Sequence, residues 1–107
     1  MNILAKKALD GLTESMFYVL MAFLRNEMCG TDIVEFIDKK TNGRVNLGPG
    51  TLYTILARFE DEKVIKETAV EGRKRTYKIT EKGIELYKTE LLRLKACVND
   101  GESEDIL

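Results

Sequence analysis

Residues 48–61, Gly48-Pro49-Gly50-Thr51-Leu52-Tyr53-Thr54-Ile55-Leu56-Ala57-Arg58-Phe59-Glu60-Asp61, run a rigid turn straight into a short amphipathic helix. Pro49 has its φ preset and lacks an N–H that the first helical turn would leave unpaired, so it suits a helix start. Leu52, Ile55, Leu56 and Phe59 follow at i, i+3, i+4 and i+7, which buries one side of the helix. The opposite side carries Thr51, Thr54 and Arg58.

Towards the C-terminus, Val64–Val70, the turn Glu71-Gly72 and Arg73–Ile79 predict a β-hairpin. Strand alternation places Arg73, Arg75 and Tyr77 on one face and Lys74, Thr76 and Lys78 on the other, with Tyr77 expected to pack inward near Ile65 and Ile79. Thr80 then caps a last helix in which Ile84, Tyr87, Leu91, Leu94 and Val98 are spaced 3, 4, 3 and 4, a short heptad seam. From Thr80 to Val98 that helix spans about 28 Å, more than one small domain has core to cover. The seam therefore predicts pairing with a second copy, and an intrachain core helix is the alternative.

Towards the N-terminus, Thr13 is the expected cap of a central helix bearing Met16, Phe17, Leu20, Met21, Phe23 and Leu24. Residues 3–9 suggest a short earlier helix. Gly30-Thr31-Asp32 begins another helix, striped with Ile33, Val34, Phe36 and Ile37 and stopped by Thr41-Asn42-Gly43. Residues 44–47 form an extended connector. The expected fold is mainly α with a small β-hairpin: a winged helix-turn-helix followed by a C-terminal dimerisation helix. Residues 1–79 make the winged unit, 80–98 the dimerisation helix of the same compact body, and 99–107 an acidic flexible tail.

A chain of 107 residues holds one core, and 44% hydrophobic with 33% charged residues suits a folded helical protein. No run of about eighteen apolar residues and no leader pattern occurs, so a cytoplasmic location with no membrane association is expected. With no His and only Cys29 and Cys97, the sequence has no zinc ligand set and no His-based triad, and no metal or cofactor is expected. The two cysteines read as reduced thiols, with redox sensing as the other possibility. The consecutive carboxylates Glu60-Asp61-Glu62 point in different directions around a helix end, and Gly48-Pro49-Gly50 lacks the Lys-Ser or Lys-Thr of a P-loop. An enzyme is not expected.

The net charge of −1 hides a strong asymmetry. Between Lys63 and Lys82, seven cations (Lys63, Lys66, Arg73, Lys74, Arg75, Lys78, Lys82) stand against three acids (Glu67, Glu71, Glu81), a balance of +4. Residues 99–107 carry four acids and no cation. A helix bearing small hydroxyls beside a cationic hairpin fits double-stranded DNA. Helix N-termini and hydroxyls hold phosphate and present base-reading side chains, and wing cations release counterions.

Three blocks, GTDIVEFI, LGPGTLYTILARFEDEKVI and EGRKRTYKITEKGIEL, resemble those of PadR-like transcriptional regulators, the phenolic-acid-decarboxylase-regulator family, over roughly residues 12–87. The resemblance implies DNA contact by Tyr53 and its helix neighbours, and a homodimer formed through the last helix, often with the partner's N-terminal helix. Joined to the reading of the residues, it gives Gly50, Thr51, Tyr53, Thr54, Arg58, Arg73, Lys74 and Arg75 as the DNA-binding set. The dimer set is Ile3, Leu4, Leu9, Ile84, Tyr87, Leu91, Leu94 and Val98. For Tyr53, packing beside the core is the competing reading. Cys29-Gly30-Thr31 stands where the family often has His-Gly-Tyr, so no role for those aromatic rings carries over. Some short members hold flat hydrophobic drugs between aromatic residues of the dimer channel; here the last helix offers only Tyr87 and the chain has no Trp, so a small-molecule effector is expected without a named class. The expected function is a repressor that binds a palindromic operator; the alternative is a winged-helix protein-interaction module.

Overall fold

Thr13 Oγ1 accepts the Met16 N–H at 3.1 Å and starts helix α1 (Glu14–Ala22), as its sequence predicts. The chain is described by a computed structural model over residues 11–104 and 106. Ile3, Leu4 and Leu9, three of the expected dimer residues, lie outside the described residues. Helix α1 buries Phe17, Val19, Leu20 and Ala22, but it stops before Leu24, which is exposed rather than part of its apolar stripe.

Strand β1 (Met28–Cys29) leads directly into helix α2 (Gly30–Thr41). Asp32 reaches back to accept the Cys29 N–H at 3.1 Å, satisfying a donor at the N-terminus of α2. At its other end Asn42 adopts the left-handed conformation (φ 53°) and Gly43 follows at φ 78°, so the Thr41-Asn42-Gly43 stop operates as expected. Arg44 then bonds the Tyr18 hydroxyl at 2.8 Å, fastening the connector to α1.

Helix α3 (Pro49–Asp61) buries Leu52, Ile55, Leu56 and Phe59, the four predicted residues. Its exit is a Schellman turn: Val64 N–H bonds Phe59 O at 2.8 Å and Lys63 N–H bonds Glu60 O at 3.0 Å. Lys63 supplies the left-handed residue (φ 61°) where glycine is usual. The turn directs the chain into β2 (Ile65–Glu71), which pairs with β3 (Lys74–Ile79).

The expected hairpin is in fact two-thirds of a sheet. Strand β1 pairs with β3, Met28 opposite Tyr77 and Cys29 opposite Thr76, giving an antiparallel order β1-β3-β2. A bulge between Glu67 and Ala69 shifts the β2 register, so that Glu67 opposes Tyr77 while Val70 opposes Arg75. The core lies between α1, α2, α3 and the base of the sheet; Phe23, Phe59, Leu20, Ile33, Ile37, Ile65, Val19 and Val64 are fully buried. Tyr77 is buried with them, as expected.

Helix α4 (Glu81–Glu102) is longer than its sequence suggested. The expected flexible segment from residue 99 is helical as far as Glu102, where Ser103 N–H bonds Asn99 O at 3.0 Å and Ser103 Oγ bonds Asp100 O at 2.7 Å. The polar run Asn99-Asp100-Gly101 continues the helix because local capping satisfies its last carbonyls. At 22 residues, α4 is about 33 Å long. Its first turn is tied to the end of α3: Thr80 Oγ1 lies 2.7 Å from Lys63 O and accepts the Gly83 N–H at 3.1 Å, and Lys82 Nζ bonds Glu62 O at 2.7 Å.

A second attachment comes from Glu90, a buried carboxylate in the middle of α4. It accepts the Leu12 N–H at 3.2 Å and the Arg93 Nη2–H at 2.9 Å. Hydrogen bonding to Arg93, reinforced by the Leu12 N–H, holds its carboxyl below the ordinary glutamate range despite burial. Leu86 and Tyr87 pack against the core, whereas Leu92 and Val98 further along are exposed. Among the described residues, no helix is long and apolar enough to cross a membrane.

Candidate nucleic-acid interface

Helix α3 and the β2–β3 wing face each other across a cleft of about 710 Å³. Tyr53, Ala57 and Glu60 line its helical wall, Arg73, Lys74, Arg75 and Tyr77 its wing wall, and Cys29, Gly30 and Thr31 its third side at the start of α2. The sheet explains the juxtaposition: β1 precedes α2 without a break and pairs with β3, so the wing cations are carried to the N-terminal end of α2.

Tyr53 is 66% exposed, so its ring stands out from α3 instead of packing beside the core. A ring this exposed does not fit the reading in which Tyr53 packs beside the core. Its neighbours on the helix divide. Thr51 and Gly50 are exposed in the first turn, and Thr54 Oγ1 donates to Gly50 O at 2.9 Å, which leaves its lone pairs to accept. Thr54 and Arg58 open onto a different cleft, beside Met16 and Lys63. Arg58 Nε stands 3.5 Å from Glu62 Oε1 and its side chain is half-buried, so this cation is turned along its own helix.

The three wing cations are exposed, as predicted. Arg75 is also engaged: its Nη1 donates to Glu67 Oε2 at 3.1 Å. Sequence alternation placed Arg75 correctly beside Tyr77, but it could not place Glu67, because the bulge that follows Glu67 carries no Gly or Pro to mark it. Burial raises the Tyr77 hydroxyl pKa, with the Glu60 and Glu67 carboxylates adding to it, so the cleft floor keeps a neutral phenol. At the third side, Cys29 Sγ donates to Asp32 Oδ2 at 3.1 Å. The Cys29 N–H and thiol hold the Asp32 carboxyl below its ordinary range, and the charge of Lys74 adds to this.

The arrangement offers an exposed aromatic ring facing three cations across one cleft, with the exposed Thr51 hydroxyl in the first turn of the same helix, a set suited to a polyanion with stacked, hydrogen-bonding edges. The stretch that builds this arrangement matches a known family: the model of the transcriptional regulator PadR-like family matches residues 19–89. The chain belongs to the PadR-like family. No curated protein matches it. Among solved structures, this PadR-like chain is similar to a transcriptional regulator from Clostridium thermocellum, at 27% identity and a TM-score of 0.74, covering 82% of this chain and 89% of that one. It is also similar to Bacillus subtilis PadR, solved in complex with operator DNA, at 19% identity and a TM-score of 0.65. That alignment covers 74% of this chain but only 48% of the Bacillus protein. A PadR-like transcription factor from Bacteroides fragilis is comparable, at 22% identity, a TM-score of 0.63 and coverage of 80% and 87%.

The α4 residues expected at a dimer seam of this PadR-like protein divide as well. Tyr87 stacks on Phe17 with ring centroids 5.0 Å apart and 3° between planes, an intrachain partner that sequence spacing did not reveal. Ile84 is half-buried near the start of the helix. Leu91, Leu94 and Val98 line an open groove with Lys95, Asn99 and Glu102, on the part of α4 that extends past Glu90.

Proposed function

We infer that this PadR-like regulator is a cytoplasmic repressor that binds a palindromic operator in double-stranded DNA as a homodimer. In this reading α3 enters the major groove, with Thr51, Tyr53 and Thr54 meeting base edges or nearby phosphates and Gly50 allowing close backbone approach. Arg73, Lys74 and Arg75 neutralise phosphates from the wing, and Arg58 contributes at the edge of the footprint after leaving Glu62. The observation that carries the reading is Tyr53, an exposed aromatic ring facing three wing cations across one cleft. The operator complex of Bacillus subtilis PadR supports it by likeness of fold.

Two copies pair through Leu91, Leu94 and Val98, with Ile84, Tyr87, Ile3, Leu4 and Leu9 at the margins, setting two α3 helices about 34 Å apart for successive major grooves. A small-molecule effector at that interface releases the operator. The test is binding to a palindromic fragment from the protein's own promoter region at several salt concentrations. A linear fall of log K with log salt supports the reading. Absence of binding, or salt-independent binding, favours a protein-interaction module instead.

A further inference from the structure

We propose that Glu67 sets the DNA affinity of this protein by competing with a phosphate group for Arg75. The proposal deepens the DNA-binding reading above and rests on it. Of the three wing cations, Arg75 has its guanidinium 3.1 Å from a carboxylate. The contact is diagonal across the sheet: Glu67 opposes Tyr77, and Arg75 lies two residues along β3 on the same face. The Glu67 side chain is 29% exposed against 60% for Arg75, so the carboxylate sits at the base of the pair and the guanidinium at the outside.

Elementary electrostatics gives this pair three effects. It is neutral at a distance, so the wing attracts a polyanion chiefly through Arg73 and Lys74. A phosphate docking on Arg75 meets a carboxylate within the same guanidinium fork, and like charges at that range disfavour contact. Glu60, on the other wall of the cleft, adds a second negative charge to the same space. Loosely seated DNA leaves Arg75 with Glu67; only a closely fitted site brings a phosphate near enough to take it. Glu67 therefore weakens non-specific binding more than operator binding.

The experiment measures salt-dependent affinity of the full chain for its operator and for a random duplex, comparing wild type with Glu67→Gln, Arg75→Ala and the double variant. Glu67→Gln keeps the size and hydrogen-bonding capacity of the side chain, and the pair is exposed enough for thermal unfolding to stay within a few degrees. The expected result for random DNA is a salt slope steeper by about 0.9, equivalent to roughly a three- to fourfold larger loss of affinity between 50 and 200 mM salt. Binding at low salt tightens, and the ratio of operator to random affinity falls. The double variant should then match Arg75→Ala alone.

Unchanged or weaker binding by Glu67→Gln would overturn the proposal, the latter outcome making Glu67 a residue that orients Arg75 for DNA. A gain that persists without Arg75 would also overturn it, by assigning the effect to general repulsion. If wild type and all variants bind neither duplex, the DNA reading fails and this proposal falls with it. Failure of the proposal alone leaves wild-type operator binding intact.

Discussion

Gly83, in the first turn of α4, lies against the carbonyl oxygen of Val64 at the start of the sheet, with no room between them for a β-carbon. A Cβ at this position would also come within 2.6 Å of Ile79 Cγ1. These neighbours belong to the fully buried Val64 and to the ladder beside it, and neither is the flexible end of a surface chain. Gly83→Ala should therefore destabilise the fold by about 1–3 kcal/mol through overpacking, despite alanine's better helix propensity. For a domain of this size, thermal unfolding should shift down by roughly 5 °C or more. An unchanged transition would show that α4 can move away from Val64 without cost.

Glu90 should make stability depend on acid pH. Its folded pKa is held down by Arg93 and the Leu12 N–H, so its contribution is complete above the unfolded glutamate value of about 4.3 and is lost as pH falls through the lower folded value. Glu90→Gln should cost about 1.5–3 kcal/mol at pH 7, the usual worth of hydrogen bonds to a charged group. The difference from wild type should shrink below about pH 4. Urea titrations at pH 7 and about pH 3.5 measure both quantities, and an equal gap at the two values would remove Glu90 from the titrating set.

Replacing Arg73, Lys74 and Arg75 together by Ala should weaken binding across all DNA sequences and flatten the salt slope, by up to about 0.9 for each phosphate no longer neutralised. Folding should be almost unaffected, because these side chains are exposed. A slope equal to that of wild type would exclude the wing from the phosphate-binding set.

Tyr53 separates stacking from hydrogen bonding. Tyr53→Ala should reduce operator affinity without lowering the unfolding temperature, since the ring is largely exposed. Tyr53→Phe tests the hydroxyl alone: loss comparable to the alanine variant assigns the interaction to the oxygen, and near-wild-type binding assigns it to the ring.

Leu91→Asp with Leu94→Asp should convert the proposed dimer to monomer, because both side chains line the open groove of α4 beyond its intrachain attachments. Sedimentation at several protein concentrations reads the outcome directly. A variant that still sediments as a dimer would place the interface elsewhere.

The parts of this molecule legible in its sequence are those where apolar periodicity is long enough to register. Leu52, Ile55, Leu56 and Phe59 defined the buried side of α3, and Thr13, Asn42 and Thr80 marked helix ends by ordinary capping chemistry. Strand β1 is two residues long and has no period to detect. The bulge before Ala69 changes which β2 residues face Arg75 without any special residue type to announce it. Lys63 ends α3 in a conformation that usually signals glycine, and Glu90 is buried although its type predicts a solvated side chain. For the candidate site, the sequence located the exposed ring and the cations but not their internal partners. Glu67 becomes the partner of Arg75 only through sheet register, whereas Glu62 stands at i+4 from Arg58, a spacing the sequence does carry.

Strand β3, the middle of the sheet, pairs along its length with β2 on one side and, at Thr76 and Tyr77, with β1 on the other. The two outer rims differ. One belongs to β1 and is too short to template another chain; the other belongs to β2, which carries Lys66, Glu67 and Glu71 and is broken by the bulge. Charges, brevity and irregularity are the means by which proteins avoid edge-to-edge aggregation. The displacement that seats Glu67 beside Arg75 therefore also protects solubility: a regulator proposed to self-associate along one helix has a sheet that resists associating with copies of itself.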